Sequence, residues 1–341
     1  MDKIIIPKPC NFHGHLRQGD IMKNLLLQHA ANWFSMYLAM PNTKPSLLTG
    51  DDSIRYTQEI SRERLCGQRM KILGTIKITE TTTPKIVERA YQQGVRFGKV
   101  YPQGMTTHAD DGVLKYHKLF PVFRKMAKLG MHALFHPEHP NQAHYNLDAE
   151  LVFAGVFELI YQEIPNLKMV WEHLTDTRVL PMLNGMNDNV AFTITVHHLL
   201  LNTGDVLGQP YNFCRPVAKD PRDAQLLRET VLGGNPKAIL GLDDAPWSSE
   251  DKEGESSCAG IWSTPTAIPW LVEMFDKRGL LETESGKRKL IDFTSGNGCF
   301  FYRIDTPKES LELKKEPWYV PRDLHGVVPF LANKQLEWNI A

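Results

Sequence analysis

His13 and His15 stand one residue apart in the stretch Asn11-Phe12-His13-Gly14-His15-Leu16-Arg17. Alternate residues of a strand face the same side, so both imidazoles would point one way with Gly14 between them. Alone, such a pair is a weak metal signal, and histidines that merely hydrogen-bond are the ordinary alternative. Four other short apolar runs end on groups able to hold a metal. "RFGKVYP" carries Lys99, "HALFHPE" carries His136, "KMVWEHLT" carries His173 and "AILGLDDAP" carries Asp243. Taken singly these also have bland readings: a satisfied core histidine, a lysine reaching solvent, or an aspartate capping the next helix. Their spacing argues otherwise. Lys99 to His136 and His136 to His173 are each 37 residues, and His173 to Asp243 is 70, close to two such units. His13 to Lys99 is 86, three slightly shorter units. One strand-helix unit per interval puts these groups on strands 1, 4, 5, 6 and 8 of a repeat, at the carboxyl ends where barrel enzymes build their sites.

A lysine ammonium would be repelled by metal cations. A neutral amine can instead add carbon dioxide and become a carbamate, with one negative charge and two oxygens able to bridge two divalent ions. Two such ions with the carbamate, ionised Asp243 and a bridging hydroxide leave one net positive charge, which suits a site that polarises a carbonyl and holds an anion. Four neutral imidazoles complete a zinc-class donor set.

These side chains need a scaffold that delivers strand ends to one place. Strand candidates lie near residues 9–15, 35–40, 71–78, 95–101, 131–136, 168–173, 190–196 and 237–242. Amphipathic segments such as "TPKIVERAYQQG" and "DPRDAQLLRETVLGG" lie between them, opening on Thr or Asp and closing on Gly as capped helices do. Eight strands alternating with helices predict a parallel (β/α)8 barrel, with an open doubly wound sheet as the competing fold. Residues 1–341 read as one barrel domain, with a helix and irregular tail from about 285 packed on it.

The 341 residues hold 39 Lys+Arg against 39 Asp+Glu, which argues against a nucleic-acid partner. No apolar run reaches the roughly 20 residues of a membrane span, and the five scattered cysteines fit reduced thiols in the cytoplasm.

Together with "MPN" at 40–42, "GKVYP", "HPE", "EHLTD", "TITVHHL", "LDDAP" and the closing "VVPFLA", these motifs resemble the dihydroorotases of the amidohydrolase superfamily, in the shorter bacterial type found as a separate enzyme. The resemblance implies a (β/α)8 barrel with two zinc ions, usually a cytoplasmic homodimer. It implies that His13, His15, Asp243 and carboxylated Lys99 hold one ion, and that Lys99, His136 and His173 hold the other. Asp243 would shuttle the proton while hydroxide between the metals attacks. The implied reaction is reversible hydrolysis of the cyclic amide of dihydroorotate to N-carbamoyl-aspartate. Arg17 and Asn42 would grip the substrate carboxylate, Thr106 and Thr107 would reach it from a loop, and Ala259 would touch it.

Two positions depart from the family pattern. Trp247 stands where a substrate-binding histidine is usual, and Arg215 where an apolar residue is usual. An indole N–H donates one hydrogen bond but carries no charge. Arg215 is then expected to replace the missing charge. The alternative is an altered substrate, a related cyclic ureide or imide as in hydantoinase-like or imidase-like enzymes.

Overall fold

A computed structural model describes residues 2–63, 69–106, 109–140, 146–255 and 257–341. Its strands of three or more residues are β1 (Lys3–Pro7), β2 (Cys10–Gly14), β3 (Met36–Ala39), β4 (Lys71–Leu73), β5 (Thr75–Ile78), β6 (Phe97–Val100), β7 (His132–Phe135), β8 (Lys168–Trp171), β9 (Val190–Ile194), β10 (Ala238–Leu240) and β11 (Ser310–Lys314). Strands β2, β3 and β4 pair in parallel, and β5 to β10 form a six-stranded parallel sheet in sequence order. β4 and β5 are the two halves of one barrel strand, interrupted at Gly74, where a Cβ would collide with the Ser53 side chain of the helix Gly50–Glu63.

The sheet closes on itself. Asp243 N–H donates to His13 O at 2.8 Å, and His15 N–H donates to Asp244 O at 2.8 Å. Leu242 N–H reaches the Asn11 side-chain oxygen at 2.9 Å. These bonds join the last barrel strand to the first, so the fold is the (β/α)8 barrel rather than an open sheet. Strands buried on both faces explain why these runs read as nearly continuous apolar stretches.

The helices follow their sequence punctuation. Thr83 caps Pro84–Gln92, and Asp220 with Asp223 forms a capping box for Pro221–Gly233. Gly130 and Gly234 end their helices in the left-handed region, at φ 71° and 78°. Among the described residues, no helix is long and apolar enough to cross a membrane.

The segment from 285 is more ordered than an irregular tail. The helix Glu284–Ile291 continues through Asp292–Gly296 into Asn297–Tyr302. There Tyr302 packs on Phe12 with ring centroids 5.0 Å apart, stoppering the amino-terminal end of the barrel. β11 then pairs antiparallel with β1, so the two ends of the chain share a sheet.

Candidate active site

Five barrel strands deliver the predicted groups to one rim. His13 lies in β2 and His15 just beyond it, Lys99 lies in β6, and His136, His173 and Asp243 follow β7, β8 and β10. The Nε2 atoms of His13 and His15 lie 3.2 and 3.1 Å from Asp243 Oδ1. The His173 ring sits 5.1 Å from that of His13 and 4.7 Å from that of His136. Arg17, His173 and Asp243 hold left-handed backbones at φ 57°, 40° and 49°. That conformation is costly for residues with a Cβ and gathers where function demands it.

Two carboxylates fix the imidazoles. His13 Nδ1 donates to Glu172 Oε2 at 2.7 Å, and Thr193 Oγ1 donates to the same oxygen at 2.6 Å. That tautomer leaves the His13 Nε2 lone pair facing the rim. Glu138 does the same for His136, whose Nε2 lies 2.7 Å from Glu138 Oε2, leaving Nδ1 as its ligand atom.

The electrostatics fit a cation site. Burial pushes the Lys99 ammonium down to about 8 against the pull of Glu172 and Asp243, so a neutral amine is accessible near neutral pH. Burial holds His173 well below its usual value and His15 at about 4, so both are neutral donors. Burial would raise the Asp243 carboxyl, but the charge and hydrogen bond of His13 outweigh it and hold it well below the usual range. Burial also opposes charge on His13, but Glu172 and Asp243 outweigh it and raise that imidazole. Among the described residues Lys99 Nζ and His173 Nδ1 are buried without a hydrogen-bond partner. Buried orphans of this kind call for a partner. His13, His15 and Asp243 bring their ligand atoms within 4.8 Å of one another. The donors therefore fit metal ions, and the orphaned amine fits a carboxylated lysine.

Beside this rim one cavity is lined by Arg17, Asn42, Thr106, Arg215 and Ala259 together with His15 and Asp243, and a second shares His15, Arg17 and Asn42 with it. Thr107 lies outside the described residues. Arg17 donates through Nε to Pro246 O at 3.2 Å, while its Nη2 is buried without a partner. Arg215 Nη1 donates to Glu138 Oε1 at 3.3 Å, so part of its charge is already balanced. Trp247 is not in the lining of that cavity. Its ring backs the Arg17 guanidinium at 4.5 Å, and its indole N–H donates to Ala259 O at 3.0 Å, which leaves no donor for a ligand.

The sequence reading gave no role to Glu172 or Glu138, although both sit inside the motifs it quoted. Strand alternation would turn Glu172 away from His173. The strand ends at Trp171, and the left-handed His173 lets both side chains serve the rim. A second donor cluster, His197, His198 and Cys214, lies in and after "TITVHHL". His198 spends Nε2 on Pro216 O at 3.1 Å and Nδ1 on Thr195 at 2.8 Å, so it serves the packing. Asp244 accepts from Ser263 N at 2.7 Å and Thr264 N at 3.0 Å, anchoring the start of the helix Thr264–Asp276.

No family model matches the chain. A curated dihydroorotase from Marinomonas sp. (strain MWYL1) is 35% identical over 350 residues, spanning 100% of both sequences. Among solved structures, the dihydroorotase of Saccharomyces cerevisiae in complex with 5-fluoroorotic acid superposes with a TM-score of 0.92 at 27% identity, covering 100% of this chain and 99% of that one. An L-hydantoinase from Arthrobacter aurescens shares the fold, with a TM-score of 0.82 at 17% identity over 99% of this chain and 83% of its own.

Proposed function

The chain belongs to the dihydroorotase family, and from that premise we propose that it hydrolyses the cyclic amide of (S)-dihydroorotate, reversibly, to N-carbamoyl-L-aspartate in de novo pyrimidine biosynthesis. One observation carries the reading. The buried, unpartnered amine of Lys99 meets four histidines and Asp243 beside a cavity that presents Arg17 and Asn42.

In this reading His13, His15, Asp243 and carboxylated Lys99 hold one zinc ion, and Lys99, His136 and His173 hold a second. When bound, such ions lower the pKa of water to about 7 and polarise an amide carbonyl. The protein's own groups do the rest. Arg17, with Nη2 unclaimed, and Asn42 grip the substrate carboxylate and set the ring against the rim. Trp247 holds the guanidinium flat from behind. Thr106 closes on the ring, and Ala259 bounds the cavity. Asp243, held as a carboxylate, takes a proton at a side-chain oxygen from the attacking water and returns it to the ring nitrogen as the C–N bond breaks. Arg215 adds positive charge to the pocket, tempered by Glu138.

A hydantoinase-like activity is not favoured, since the hydantoinase likeness at 17% identity extends to the fold alone. Arg17 and Asn42 also answer a carboxylate that hydantoins lack. Zinc-loaded protein offered dihydroorotate and a panel of hydantoins and imides is expected to open dihydroorotate fastest, with about two zinc per chain by metal analysis. Faster opening of any hydantoin or imide sinks the assignment. A cytoplasmic homodimer completes the proposal, and light scattering at twice the chain mass checks the assembly.

A further inference from the structure

The opposite end of the barrel carries a hollow that the chemistry at the rim does not use. At the amino-terminal ends of the strands, a cavity of about 490 Å³ is lined by Lys71 at the start of β4, Arg96 just before β6, Lys168 at the start of β8 and Arg303. Among the described residues no carboxylate lines it. The chain as a whole has no net charge, so four cations around one hollow are a local excess. Like charges gathered this way repel one another unless an anion answers them. Burial pushes the Lys168 ammonium down, and Arg303 pushes it further.

Two buried polar groups lie in the same wall. His132 is 3% and Tyr302 5% exposed. His132 Nε2 donates to Phe301 O at 3.4 Å, which leaves Nδ1 as an acceptor. Neither His132 Nδ1 nor Tyr302 Oη has a partner among the described residues. Both atoms are sealed from solvent behind the wall, so the cations are the groups that face the hollow. Lys71 and Arg303 are exposed and Lys168 is half-buried, so the hollow is reachable from solvent. Arg96 has committed Nη1 to Tyr91 O at 2.7 Å and contributes its field more than its bonds.

We propose that this basal cavity is a second binding site, which takes a small phosphate-bearing anion. The phosphate sits among Lys71, Lys168 and Arg303, with Arg96 adding its field. Phosphate is favoured over a carboxylate because it concentrates about two charges and three acceptor oxygens on one centre, which several converging donors can share.

Calorimetric titration of the metal-loaded protein at low salt tests this, with ribose 5-phosphate, inorganic phosphate, ribose and citrate as probes. Both phosphates are expected to bind saturably and ribose not at all. Lys168→Gln and Arg303→Gln each weaken binding about tenfold or more. Arg55→Gln on the exposed helix Gly50–Glu63 leaves it unchanged. Tighter binding of ribose 5-phosphate names a phosphate ester as the ligand, and equal binding names free phosphate; either supports the site. Three outcomes overturn it: no phosphate binding at millimolar concentration, wild-type affinity in both cation variants, or citrate bound as tightly as ribose 5-phosphate.

Discussion

Glu172 does not line the cavity, yet it decides which nitrogen of His13 faces the rim, and Glu138 plays the matching part for His136. Removing such a support costs a metal site dearly while sparing the fold. Glu172→Gln is expected to weaken zinc binding about 10- to 100-fold, read by competition with a chelator, with an unchanged circular dichroism spectrum. In the proposed function Arg17 acts on the substrate rather than on the ions. Arg17→Gln is expected to raise KM for dihydroorotate about 10- to 100-fold and leave zinc content and kcat nearly intact. A collapse of kcat with unchanged KM would place Arg17 in the chemistry instead. At this scale His13, His15, Lys99, His136, His173 and Asp243 were legible because donor types at repeating intervals mean little else in a barrel. The supporting glutamates were not, because their role depends on where a strand stops and a left-handed residue begins. Trp247 was read as facing the ligand, yet it backs Arg17, and residue type alone does not reveal a stacking direction.

The short helix Ser249–Glu253 controls the loops around the cavity through one residue. Lys252 Nζ donates to Phe213 O at 3.0 Å, Cys258 O at 2.8 Å and Gly260 O at 2.9 Å. Burial pushes its ammonium down to about 8 from 10.5, with Cys214 and Cys258 opposing. The folded state therefore releases this proton before the unfolded state does. Below about 8 both states keep the proton, and the folded state bears the full cost of burying the charge. Between about 8 and 10.5 the unfolded chain holds more protons, so this residue's contribution to stability rises with pH. Urea unfolding of wild type and Lys252→Met across that window is expected to show the difference shifting in favour of wild type as pH climbs. A flat difference refutes the linkage. Among elements, the eight barrel strands were visible as apolar runs and the capped helices by their Thr, Asp and Gly ends. The break at Gly74 and the strand β11 were not, since one depends on a neighbouring helix and the other on a partner some 300 residues away in sequence.

Across the whole molecule, the carboxyl-terminal segment completes the core. Trp338 and Leu313 are fully buried, and the Trp338 indole N–H donates to Asp276 Oδ2 at 3.1 Å. We treat residues 1–341 as one cooperative unit. Trp338→Ala is then expected to lower unfolding free energy by about 3–5 kcal/mol in a single urea transition. Metal content and KM should stay unchanged. Loss of the tail signal in a separate, earlier transition would mean that the segment folds on its own. The sheet made by β1 and β11 has a practical corollary. Lys315 N–H donates to Asp2 O at 2.9 Å, and Ala341 N–H to Glu312 O at 3.0 Å, so Asp2 and Ala341 flank the same strand. With only one strand between Asp2 and Ala341, a short linker should join them, and the same barrel should assemble from a sequence cut open at an exposed turn elsewhere.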